Sequence, residues 1–459
     1  MSKITEPHHK LSHRSRRNWV SIAVMASVVS LVSGCASGGN PAEGERVSLT
    51  FATVNTPQTK DLEELKGQFE KTHPNISVDF IQMNENDLRD AVTKDIATGG
   101  GQYDVVTIGS YEVPIWGKNG WLTDLDSYAT SNPDYDVEDF LPVLRDSLSF
   151  DDSLYAAPFY GEGSFLMYNK EIFAAEGLSL PEHPTWTEVD AAARQIAKTG
   201  TPGICLRGQP GWGSNIPPLT TAVQTFGGTW FDNDWNAKLD SPEFIEATTF
   251  YTDLITDAGQ PDPVSSGFVE CLNLFAQGGV AMWYDATAAA GMLESAELSS
   301  VVGKVGYVHA PVMKTEEAGW LWSWNLAIPK SSKKQDAAWQ FIEWATDKDY
   351  VKLAGEELGW TRIPAGARES TYEIPEYREA AAAFADITLD VMKSVDPKQP
   401  GLKPQPWVGI QYVTIPEFQD LGNQVSQEIA DVLGGRTDVP TALKKAQKLA
   451  QKVGDAQKK

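Results

Sequence analysis

The chain is short of cysteine, histidine and positive charge: 3 Cys, 6 His and 38 Lys+Arg stand against 62 Asp+Glu in 459 residues. The histidines, at 8, 9, 13, 73, 183 and 309, are too scattered to form a metal-binding motif, and none is paired by motif with a cysteine. A thiol nucleophile is therefore not expected, nor is a metal or a cofactor. With a formal charge of −24 and no basic patch, the chain suits neither a nucleic-acid backbone nor a phospholipid headgroup as ligand. Phosphate-binding loops, a nucleophile elbow, internal repeats and low-complexity blocks are also missing, which removes the common nucleotide, hydrolase and scaffold signatures.

Long apolar runs are equally scarce. An uncharged, largely apolar run, residues 19–32, follows basic residues through Arg17 and is too short for a permanent membrane span, so residues 1–34 read as a signal peptide. It closes on Leu31-Val32-Ser33-Gly34-Cys35, which resembles a bacterial lipobox. That resemblance implies cleavage before Cys35, diacylglycerol on its sulfur, and an exported protein held by a lipid anchor at the outer face of the cytoplasmic membrane. Ser15-Arg16-Arg17 also resembles a twin-arginine signal, and both export routes stay open. Residues 35–45, small and polar, form a flexible tether reaching on the order of 30 Å. With Cys35 assigned to lipid, Cys205 and Cys271 remain, either as a disulfide or as two buried thiols.

Aromatic residues are abundant, with 15 Trp, and they concentrate in Gly319-Trp320-Leu321-Trp322-Ser323-Trp324-Asn325-Leu326-Ala327-Ile328-Pro329. Bounded by a charged turn and a proline, this stretch is predicted as a strand with Trp320, Trp322 and Trp324 on one face. Three indoles in a row form either the aromatic side of a core or a stacking floor for a molecule with CH faces and hydroxyls. From residue 47 to residue 108 the pattern is strand, helix, strand, helix, strand. Leu62, Leu65 and Phe69 mark the first helix, and Leu88, Val92 and Ile96 mark the second. This is the signature of a mostly parallel sheet flanked by helices, whose ligands sit at the carboxyl ends of its strands, near Asn55, Tyr111 and Glu112.

The run Tyr155-Ala156-Ala157-Pro158-Phe159-Tyr160-Gly161-Glu162-Gly163-Ser164-Phe165 resembles the inter-lobe crossing of family 1 extracellular solute-binding proteins, the sugar receptors of ABC importers. Segments around Arg207 and Trp212, Thr225 to Phe231, Ala281 to Thr287, the Trp-rich strand, and Gly409 to Gly422 narrow the resemblance to the sorbitol and mannitol receptors of that family. It implies an α/β fold of two lobes, like the periplasmic binding proteins, with a cleft between them and three crossings. The expected lobes are 46–160 with 310–346, and 161–309 with 347–459. It further implies capture of a sugar alcohol or sugar, delivery to ABC permease subunits, and a monomer. Tyr160, Glu162, Arg207, Trp212, Trp283, Asp285, Trp322, Trp324 and Tyr412 join Asn55, Tyr111 and Glu112 as expected ligand-binding residues, with Trp407 and Phe418 as further aromatic candidates. A polyol bears a hydroxyl on every carbon, so Arg207 as a donor fork and Glu162 and Asp285 as acceptors match its chemistry.

The rival reading is an exported glycoside hydrolase with Glu162 and Asp285 as acid and base across a glycosidic bond. Each residue also has a plain structural alternative: Glu162 as a solvated link residue, Arg207 as half of an ion pair, Asp285 as a helix cap. An adhesin would require repeats or an exposed apolar patch, and the sequence offers neither.

Overall fold

Strand β1 (Val47–Val54) runs parallel to β2 (Ile76–Met83) in register from Val47↔Ile76 to Val54↔Met83. Between them lies helix α1 (Pro57–Thr72), started by a capping box between Thr56 and Thr59 with Pro57 in its first turn. Leu62, Leu65 and Phe69 are buried on its sheet-facing side, each worth about 1.5–3 kcal/mol relative to exposure. Helix α2 (Glu85–Thr98) follows and ends at Gly99 in the left-handed region, with φ 62°. Strand β3 (Val105–Gly109) pairs parallel with β1 and leads into the short helix α3 (Glu112–Lys118). The structure, a computed structural model, describes residues 46–458. The signal peptide, lipidation at Cys35 and the tether expected from the sequence lie outside the described residues.

A two-strand hairpin, β4 (Ser149–Phe150) and β5 (Ser153–Leu154), precedes β6 (Ala157–Glu162). After Gly163 alone the chain continues as β7 (Ser164–Asn169), which belongs to a second sheet. At this crossing Gly161 faces Gly366, and a Cβ on Gly161 would collide with the Gly366 carbonyl oxygen. The second lobe then adds α4 (Trp186–Ala197), β8 (Ile204–Cys205), α5 (Pro242–Ala258), α6 (Phe268–Ala276), β9 (Met282–Ala286) and β10 (Val305–His309). A disulfide between Cys205 and Cys271 fastens β8 to α6, which resolves the alternative left open by the sequence.

Residues 310–321 return the chain to the first sheet, where β11 (Trp322–Ala327) inserts antiparallel between β3 and β6. The first sheet has the order β2-β1-β3-β11-β6 and the second β10-β7-β9-β8. In each sheet one strand runs against the rest, β11 in the first and β7 in the second. The Trp-rich strand is shorter than the sequence suggests, because Trp320 and Leu321 lie before it.

The third crossing is not near Thr346-Asp347. Helix α7 (Gln335–Thr346) packs on β1 and β6, and α8 (Lys348–Leu358) still packs on α1 and α7 of the same lobe. The break at Asp347 is a helix cap: its carboxylate accepts from the Lys348 amide. Buried Arg368 then ties the following segment to the first lobe by donating to the carbonyls of Thr346, Tyr135 and Asp136. The next helix against the second sheet is α9 (Ala385–Ser394), which lies on β7 and β10. Helices α10 (Phe418–Leu433) and α11 (Val439–Gln457) pack on each other and on α5.

Candidate ligand-binding cleft

A cavity of about 380 Å³ opens where β1, β6, β11 and the start of α2 meet the loops around Arg207, Trp212 and Phe268. Its floor is β11. Trp322 and Trp324 project from the same face with ring centroids 5.6 Å apart, and Trp320 also lines the space. Trp322 lies against Gly109, where any side chain would run into the indole ring. A second cavity of about 360 Å³, with Tyr160 in its wall, is lined by no tryptophan. The Trp-lined cavity is the candidate site.

Two buried guanidinium groups face it. Arg207 donates from Nε to Asp285 Oδ2 at 2.8 Å, from Nη2 to Asp285 Oδ1, and from Nη1 to the Gly213 carbonyl at 3.0 Å. Its Cζ lies 5.8 Å from the Trp320 ring and 5.3 Å from Phe268. Arg89, on α2, pairs with Glu112 and, at 2.9 Å, with Glu85. It rests 4.1 Å over Trp212 and about as close to both Trp322 and Trp324, at 5.1 and 5.0 Å. Each guanidinium thus has a carboxylate behind it and aromatic faces beside it, which fix its charge and orientation.

Glu162 ends β6 opposite Trp322 and is 9% exposed. Burial pushes its carboxyl up to about 8; Arg207 opposes that shift, while Asp285 and Glu85 add to it. No described residue donates a hydrogen bond to this carboxylate, which leaves it aimed at the cavity without a partner. Two further buried polar atoms at the wall also lack partners among the described residues, Trp212 Nε1 and Gln411 Oε1, while Gln411 Nε2 donates to the Leu321 carbonyl at 2.9 Å. Together they offer a donor and acceptors to a bound molecule.

Of the twelve residues expected from sequence, Asn55, Tyr160, Glu162, Arg207, Trp212, Trp322 and Trp324 line this cavity. The other five stand behind its wall. Asp285 is fully buried, and its oxygens are taken by Arg207, by Trp283 Nε1 at 3.0 Å and by the Ala286 amide at 2.7 Å. It is therefore neither a hydroxyl acceptor nor one half of a hydrolytic acid and base pair; its role is to hold Arg207, and Trp283 in turn holds it. Glu112 does the same for Arg89 and accepts from the Gly109 amide at 3.0 Å. Tyr111 donates to the Ile415 carbonyl at 2.7 Å and packs on Trp212; Tyr412 packs edge-on against Trp322 with its hydroxyl 3.3 Å from Ser110 Oγ. Trp407 packs on Phe231 and Trp235, and Phe418 is core.

Sequence reasoning missed Arg89, Glu85 and their neighbours Asn84, Asn86 and Asp87, together with Phe268, Glu270 and Gln411. The Glu85/Arg89 spacing of four was visible, but it reads as an ordinary solvated helix pair. Only the tertiary fold turns that side of α2 inward.

The family model described as bacterial extracellular solute-binding protein matches residues 54–352. The chain is 43% identical over 403 residues to the mannitol-binding protein of Pseudomonas aeruginosa, covering 87% of this chain and 91% of that one. It is 27% identical over 400 residues to the erythritol/L-threitol-binding protein of Mycolicibacterium smegmatis, covering 78% and 82%. A solved ABC transporter solute-binding protein from Agrobacterium vitis S4, with bound D-mannitol, superposes with a TM-score of 0.87 at 47% identity over 90% of this chain and 99% of that one. A second, from Agrobacterium radiobacter K84 in complex with ribitol, gives 0.78 at 25% identity over 89% and 99%. With the family model spanning more than half of the chain and the two-lobed fold alike throughout, this protein belongs to the bacterial extracellular solute-binding proteins.

Proposed function

We propose that the protein captures an acyclic polyol of the mannitol type in the Trp-lined cleft and delivers it to the membrane subunits of an ABC importer. The observation that carries this reading is the pairing of an indole floor with two pre-oriented guanidinium forks and an unpartnered carboxylate, Glu162, in one cavity. The CH edges of the chain-like ligand lie on Trp322 and Trp324, while Arg89, Arg207 and Glu162 take hydroxyls in pairs. Two of the similar proteins, the mannitol-binding protein of Pseudomonas aeruginosa and the Agrobacterium vitis protein with bound D-mannitol, support a hexitol over a glycan.

Binding closes two bodies, residues 46–162 with 322–380 and residues 164–309 with 385–458, and the closed form is what the permease reads. Cleavage before Cys35 and lipidation there keep the receptor tethered outside the cytoplasmic membrane as a monomer, with no reaction performed. The test is calorimetric titration of the body from Arg46 onward with D-mannitol, D-sorbitol, ribitol, erythritol and maltose, followed by analysis of each recovered compound. The expected result is saturable one-to-one binding of hexitols, weaker binding of shorter polyols, and unchanged ligand. Hexitols that fail to bind, or any turnover, would overturn the reading.

A further inference from the structure

Away from the cleft, the fold joins two histidines that lie 126 residues apart in sequence. His309 ends β10, just before the chain returns to the first lobe, and His183 sits in the loop before α4. Their rings stack at 4.0 Å, and Glu182 completes a group whose ligand atoms all lie within 4.8 Å of one another. The backbone around them is fixed: the His309 amide donates to the Glu182 carbonyl at 2.9 Å, the Val312 amide to the Pro184 carbonyl at 3.0 Å, and the Trp186 amide to the Val312 carbonyl at 2.9 Å. On the other side of His309, Asp390 of α9 brings Oδ2 within 3.4 Å of Nε2.

We propose that Glu182, His183 and His309 form a binding site for one divalent d-block cation of the Zn²⁺ type, independent of the polyol site. Two imidazoles and a carboxylate are the ligands such an ion accepts, and a solvent-facing fourth position is left for water. Asp390 serves as the carboxylate that holds the His309 ring in one orientation. Glu317 adds a further negative charge acting on His309, so the local field favours a cation. Glu182 and His183 are exposed, so their side chains can turn from the stacked arrangement onto the ion without disturbing the core. Calcium and magnesium, which prefer oxygen ligands, do not suit the site.

The test uses tag-free protein stripped with chelator, titrated with Zn²⁺ in competition with a chromophoric chelator, with melting followed in Zn²⁺, Ca²⁺ and Mg²⁺. One Zn²⁺ per chain is expected, with a rise in melting temperature that Ca²⁺ and Mg²⁺ do not reproduce. His183→Ala and Glu182→Gln, both at exposed positions, should each weaken Zn²⁺ at least tenfold while leaving the metal-free melting temperature and D-mannitol binding unchanged. Absence of stoichiometric binding, or less than tenfold weakening in either variant, would overturn the proposal.

Discussion

Glu162 is the residue whose surroundings make the sharpest predictions. Between pH 4.5 and about 8 the folded protein holds a proton on this carboxyl that the unfolded chain has released, so its contribution to stability falls as pH rises through that window. Glu162→Gln should remove that part of the slope in urea melts recorded from pH 5 to 9. Hydroxyls that donate to the carboxylate favour its charged form. D-mannitol should therefore bind more tightly at pH 9 than at pH 6, with protons released on binding at pH 6–8 and few at pH 9, and the variant should bind about tenfold to a hundredfold more weakly at pH 9 with little pH dependence. Arg207 joins the two readings that the sequence left open, lining the cavity while paired with Asp285. Arg207→Ala strands Asp285, fully buried, and should cost about 3–5 kcal/mol of stability without ligand. Unfolding titrations of the ligand-free variant check this. The pairing joins residues 78 apart, and nothing local to either announces it.

At the scale of elements, the first three strands and two helices were readable because each boundary has a local cause: the Thr56 cap, the His73-Pro74 stop, the left-handed Gly99. The third crossing was not, since Asp347 caps a helix in the same way whether or not the chain changes lobe. Tyr111 and Glu112, expected from strand ends, and Tyr412, expected from the resemblance, were likewise placed in the right neighbourhood but one layer too far forward, because neither cue tells which side chain faces the gap and which braces its neighbour. The disulfide is the element-scale staple. Replacing Cys205 and Cys271 together by serine should cost about 4 kcal/mol in chemical denaturation by a loop-closure argument over their 66-residue separation. The same change loosens α6, which carries Phe268 and Glu270 into the cleft, so polyol affinity should fall as well. At the crossing, Gly161→Ala meets the ends of the Leu144 and Met392 side chains, which can turn aside, and the Gly366 carbonyl, which cannot without moving backbone. The expected result is a loss of about 1–3 kcal/mol, read from the urea midpoint.

For the whole molecule, two sheets joined through Gly163 and residues 310–321 make closure the natural response to a ligand that touches both lobes. Small-angle scattering should show a smaller radius of gyration when D-mannitol is added, and calorimetry a negative heat-capacity change from apolar burial. Both signals should weaken in Glu162→Gln at equal saturation if that carboxylate helps hold the lobes together.

The position of β11 inside the first sheet has one more consequence. With paired neighbours on both edges, its amides between Trp322 and Ala327 will be among the slowest in the chain to exchange with deuterated water, opening only when the protein unfolds as a whole. The indoles are thus set before any visitor arrives, and the search for fit is left to the opposite bank.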